Sequence, residues 1–94
     1  MNAMDRIAAH VCGTRSEHLS PATVANVQTF LLDTLGVGIA GSSGAGVSRL
    51  IPLARSWGDA PESTVWLTGE RMSAQSAAIV NAYQIHCLEF DCVH

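Results

Sequence analysis

The segment that begins near Ala74 constrains this chain more than any other. Ala77, Ala78, Ile79, Val80, Ala82, Tyr83, Ile85, Cys87 and Leu88 cover nearly the whole circumference of a helix, and Ser73 stands where a cap is needed. A helix that is apolar on all sides is a buried helix. The rest of the chain must supply its cover, and 94 residues leave room for one small domain. A chain of this size buries only roughly 60–65% of its unfolded surface. Hydrophobic residues make up 48% and charged residues 14%, so polar cover is scarce. The composition excludes a disordered tail and reads as the interior of something larger.

Helical signals recur upstream. Residues 3–12 carry Ile7, Ala8, Val11 and Cys12 at helical spacing, with Gly13 as a stop. Ser20-Pro21 starts a second helix, a capping hydroxyl followed by a proline whose missing N–H costs nothing there. Its apolar face reads Val24, Val27, Leu31, Leu35 and Ile39, and it ends near Gly41. A third helix spans Val47 to Trp57 with Leu50, Ile51, Leu53 and Ala54 inward, and Pro52 is either tolerated early in it or kinks it. Between breakers at 58–61 and 68–70, Ser63 to Leu67 is β-branched and aromatic. It predicts one short strand or extended arm. The fold class expected is all-α, about four helices with one short extended segment.

Net charge is −3, and all five basic residues are Arg. That argues against a nucleic-acid partner and leaves any lysine chemistry to residues outside this chain. The apolar run from Phe30 to Ala40 is broken by Asp33 and is too short to span a bilayer, so no membrane partner is expected. Three cysteines, Cys12, Cys87 and Cys92, without a secretory pattern read as reduced thiols in the cytoplasm. Cys12 and Cys87 are expected as small core residues, His10 and His18 at the surface, and Trp57 and Trp66 as packing anchors.

Two constellations carry possible chemistry. Gly36-Val37-Gly38-Ile39-Ala40-Gly41 fits G-x-G-x-x-G, but it lies at the end of a helix instead of opening one after a strand. It is expected to let another element approach closely and to bind no dinucleotide. The second is His86-Cys87-Leu88-Glu89-Phe90-Asp91-Cys92-Val93-His94. A metal reading would use Cys87, Cys92, His86 and His94, at a spacing poor for tetrahedral zinc. An acid–base reading uses Glu89, Asp91 and His94, where a buried helix runs out and carboxylates are partly desolvated. Against it stands a solvated acidic helix terminus, which is unfavourable against the helix dipole. Asn81, inside the same helix, needs partners and is read as an interhelical hydrogen-bonding residue ahead of a pocket wall.

Leu32-Asp33-Thr34-Leu35-Gly36-Val37 through Gly41, Ser63-Thr64-Val65-Trp66, Thr68-Gly69, and Ala77-Ala78-Ile79-Val80-Asn81 resemble, in this order, the start of the MmgE/PrpD family. The closing run resembles its A-H-x-L-D-F-D-D-T-H signature. The resemblance implies a large helical domain beside a smaller α/β domain, with residues 1–94 as the first part of the former, cut inside the active-site motif. It implies a cofactor-free lyase or isomerase of the 2-methylcitrate dehydratase type, acting on a small polycarboxylate, with no metal, as a cytoplasmic homodimer. The motif's opening acid falls on Glu89, the next acid on Asp91 and its closing His on His94. Cys92 and Val93 stand where the family has Asp and Thr, and Glu89 replaces an Asp. The family's later Lys and His have no counterpart here, so the chain alone is expected to be inactive. The alternative functions are a helical interaction module without enzymatic activity and, less favoured, a small metal-binding domain.

Overall fold

Four helices form where hydroxyl, amide and glycine residues close their ends. A computed structural model describes residues 1–90. Helix α1 (Ala3–Gly13) is held at its start by Asn2, which accepts from the Asp5 N–H while the Asp5 carboxylate accepts from the Asn2 N–H. A short 3₁₀ turn, Ser16–His18, comes next. Helix α2 (Pro21–Ala40) begins with Ser20 Oγ accepting from the Thr23 N–H at 3.1 Å and with Pro21 in its first turn. A 3₁₀ turn, Gly41–Ser43, continues it. Helix α3 (Val47–Trp57) starts from Gly46, whose φ of 88° is left-handed and suits glycine. Pro52 is absorbed within α3. Strands β1 (Ser63–Thr64) and β2 (Arg71–Met72) pair antiparallel, Ser63 opposite Met72 and Thr64 opposite Arg71. Helix α4 (Ala74–His86) opens with Ser73 Oγ accepting from the Ser76 N–H.

The helical class and all four helices match the sequence reading. The extended segment expected near residues 64–67 is shorter and has a partner, β2, at residues 71 and 72, where no element was expected. The reason is that the pairing is tertiary. The Arg71 guanidinium donates to Thr64 Oγ1 at 3.2 Å and to the Pro61 carbonyl at 2.8 Å, and two-residue strands carry no periodicity of their own.

The core is Ala54, Val65, Met72, Ala77 and Val80, with Leu50 and Ile51 packed on it. It lies between α3, the hairpin and one face of α4. Helix α2 covers another side of α4 with its C-terminal half, by a face different from the one expected. Gly38 and Gly41 are buried there, while Val24, Val27, Leu31 and Ile39 are exposed. Glycine decides this, because backbone approach replaces side-chain interdigitation. Helix α4 is not enclosed all round as expected: Ala78, Ile79, Ala82 and Tyr83 reach solvent.

Helix α1 buries no residue at all, so Cys12, expected in the core, is exposed. Trp57, expected as an anchor, is 58% exposed. His10 and His18 are exposed as expected. The radius of gyration is 16.5 Å, against about 13 Å for a compact chain of this length, which reflects the uncovered N-terminal arm. Together, α2 and its 3₁₀ extension, Pro21–Ser43, are long and apolar enough to cross a bilayer by length and composition. Their C-terminal end is instead packed on α4.

Candidate functional site at the end of the fourth helix

Helix α4 is fixed by polar clamps before it runs out. Asn81 Oδ1 accepts from the Trp66 N–H at 2.9 Å, and its Nδ2 donates to the Thr64 carbonyl at 3.1 Å. Asn81 therefore has the structural partners expected, but on the hairpin instead of another helix. One turn later Gln84 is fully buried, its Nε2 donating to the Gly38 carbonyl at 3.4 Å and the Trp66 carbonyl at 3.3 Å. Its Oε1 has no hydrogen-bond partner among the described residues. Sequence reasoning missed Gln84. The only signal was a glycine-rich helix available to pack against it.

The G-x-G-x-x-G run takes the packing role. Trp66 lies over Gly38, where an added Cβ would meet the indole ring at 2.7 Å. A Cβ on Gly41 would overlap the Gln84 backbone carbonyl, whereas Gly36 has open space around it. Trp66 is thus the packing anchor it was read to be.

The last turn of α4 is tied to the loop after α2. Tyr83 Oη donates to the Ala45 carbonyl at 2.5 Å. The Cys87 thiol is half-buried and donates toward the Gly41 carbonyl at 3.4 Å. The Glu89 N–H then donates to the His86 carbonyl at 2.8 Å, and Glu89 turns the chain with a left-handed φ of 58°. That conformation costs a side-chain-bearing residue roughly 1–2 kcal/mol. Glu89 itself is exposed, beyond the last turn that these contacts hold, and not at the desolvated edge expected. Asp91 and His94, and with them Cys92, lie outside the described residues. Among the described residues no group of three His, Cys, Asp or Glu side chains is placed to hold a metal ion.

Two arginines are committed to structure. Arg55 contacts Glu70 at 2.5 Å and Asp59 at 2.9 Å, joining α3 to the hairpin. The hydrogen bond to Glu70 is the chief reason Arg55 holds its proton above the usual guanidinium range, against a smaller opposing effect of desolvation. Arg71 is engaged by Thr64 and Pro61.

The order of segments, the glycine under Trp66 and the acidic run that follows α4 in the sequence bear comparison with known sequences. The profile of the MmgE/PrpD N-terminal domain matches residues 5–94. The chain belongs to the MmgE/PrpD family. It is also 26% identical over 88 residues to the cis-aconitate decarboxylase of Mus musculus, across 93% of this chain and 18% of that protein. The chain thus spans less than a fifth of the length of this curated relative. No solved structure gives a significant match.

Proposed function

We propose that this chain contributes one wall of the active site of a cofactor-independent lyase or isomerase that acts on a small polycarboxylate. The observation that carries the reading is the family match, which runs through the Glu89-x-Asp91-x-x-His94 segment at the end of α4. The decarboxylase relative supports a lyase-type reaction. Dehydration and epimerisation share removal of a proton from carbon next to a carboxylate by a base. The electron pair then expels a neighbouring hydroxyl group, which leaves as water on taking a proton from an acid, or reprotonation on the other face inverts the centre. In decarboxylation the electron pair comes instead from the breaking C–C bond, carbon dioxide leaves, and a proton is added.

Glu89 and Asp91 are assigned acid–base or substrate-orienting roles, and His94 a hydrogen-bonding or proton-carrying one. Glu89 suits a shared site because it stands exposed at a helix end, available to elements beyond this chain. Arg55 and Arg71 are engaged elsewhere, so neither is free to hold the substrate's carboxylates. The proposed enzyme is a cytoplasmic homodimer. The test is incubation of the complete protein with cis-aconitate and 2-methylcitrate, followed by proton NMR. Loss of substrate signals with matching product signals supports the reading. No turnover of any small di- or tricarboxylate at high enzyme concentration contradicts it.

A helical interaction module is the second reading. The observation favouring it is that α1 is well capped and amphipathic yet buries nothing. An enzyme whose further elements cover α1 accounts for the same face.

A further inference from the structure

The loop after α2 meets the last turn of α4 at three points. The Gln84 carbonyl lies where a Cβ of Gly41 would stand. Cys87 Sγ lies where a Cβ of Gly44 would stand, although Cys87 Cβ is 3.6 Å from that point. Tyr83 Oη donates to the Ala45 carbonyl at 2.5 Å and would stand 2.9 Å from a Cβ on Gly46. These contacts fall on positions 83, 84 and 87, all in the turn that leads into Glu89. The thiol is held by the Gly41 carbonyl at 3.4 Å and the Gln84 carbonyl at 3.6 Å. Gln84 is also fixed from its side-chain end, on Gly38 and Trp66. The turn therefore cannot rotate without breaking several contacts at once. Directly beyond it stands Glu89, in a left-handed conformation that a freely ending helix would give to glycine or asparagine.

We propose that Gly41, Gly44 and Cys87 are positioning residues, which set the direction in which the chain leaves α4 at Glu89 and Phe90. The proposal rests on the reading of 89–94 as the working segment. The sulfur of Cys87 is the spacer between the glycine loop and the helix, which gives this thiol a role separate from metal binding or nucleophilic chemistry. Gly44 has φ −66° and ψ 160°, so alanine fits its backbone and the sulfur is the main obstacle. The remaining close neighbour, the Gly41 carbonyl at 3.0 Å, needs to give by a few tenths of an ångström.

The experiment is amide NMR on the 94-residue chain, following the cross-peaks of Glu89 and Phe90, with Val65 and Met72 in the core as references. Gly44→Ala is expected to move the peaks of residues 89 and 90 and leave the core peaks in place. Adding Cys87→Ala should return them, because the sulfur is gone and Cβ lies at ordinary contact distance. Gly41→Ala should not be rescued by Cys87→Ala, because its overlap is with backbone. If Gly44→Ala does not fold, the double variant must fold with wild-type peaks at residues 89 and 90. Unmoved peaks in a folded Gly44→Ala, a double variant that stays shifted or unfolded, or rescue of Gly41→Ala overturns the proposal. The readout is position and not turnover, so failure here leaves the lyase reading standing, and failure of that reading leaves this result untouched.

Discussion

Asn81 offers the sharpest energetic test of how the hairpin is fixed to α4. Its amide makes two hydrogen bonds to segment 64–66, at 2.9 Å and 3.1 Å. Asn81→Ala removes both. The Trp66 N–H is part-buried and is left without its acceptor, which costs about 1–3 kcal/mol. The Thr64 carbonyl is at an exposed residue and regains water, so its loss adds only roughly 0.5–1 kcal/mol. The expected total is about 1.5–4 kcal/mol. For a domain of this size, each kcal/mol lowers Tm by about 4–8 °C, so a fall of roughly 6–30 °C is expected. Circular dichroism melts at one fixed protein concentration measure it.

Asn81→Asp refines the test. The carboxylate still accepts from the Trp66 N–H, but it faces the Thr64 carbonyl without a proton to give. Folding should raise the pKa of the introduced acid, since its protonated form can donate to that carbonyl. A raised folded pKa contributes stability that is fully present below the unfolded pKa and is lost as pH rises through the folded one. The variant should therefore be closer to wild type in mild acid than at neutral pH. A change below about 0.5 kcal/mol for Asn81→Ala, typical of an exposed surface site, refutes the reasoning.

Gly38→Ala should destabilise clearly, since its Cβ meets the Trp66 ring, while Gly36→Ala, with nothing nearby, should be neutral or stabilising by about 0.5–1 kcal/mol; chemical denaturation of the pair checks the contrast. The apolar surface left open on Met4, Ile7, Val11, Val27 and Leu32 predicts concentration-dependent self-association, read by sedimentation velocity. A single monomeric species across a hundredfold concentration range contradicts that. Arg55→Met should loosen the hairpin from α3 only modestly, because the ion pairs are more than a third exposed and screened by solvent. Hydrogen exchange at Val65 and Gly69, whose amides close the hairpin, detects it.

Helix ends were legible in the sequence because they are local chemistry. Ser20 and Ser73 accept from the amides three residues on, and Gly41 and Gly58 stand after helices as stops. Burial was less legible. The stripe Val24, Val27, Leu31 looks like a buried face by periodicity, yet the packed face of α2 is the glycine side, because α4 approaches backbone to backbone. Cys12 and Trp57 have apolar character but no neighbour to bury them. Gln84 is the reverse case, a polar residue fully buried because two carbonyls of other elements converge on it. Strand β2 exists only through its pairing with β1. At the candidate site, Glu89 was marked by motif alone. Its left-handed backbone, directly after the tethered turn, is announced by no local pattern. Asp91 and His94 rest on the motif.

The central claim is that the acidic residues following α4 in the sequence, Glu89 and Asp91, work in catalysis. Its most direct test measures kcat and KM of the complete protein, on the polycarboxylate it turns over, for Asp91→Asn and Glu89→Gln. Each substitution keeps shape and removes charge, so folding should survive. Turnover should fall by roughly 10²–10⁴-fold where the lost group moves a proton. Asp91, which matches the motif unchanged, should show the larger loss, and Cys92→Ala a smaller one than either. Wild-type kcat and KM in both carboxamide variants, correctly folded, would contradict the account.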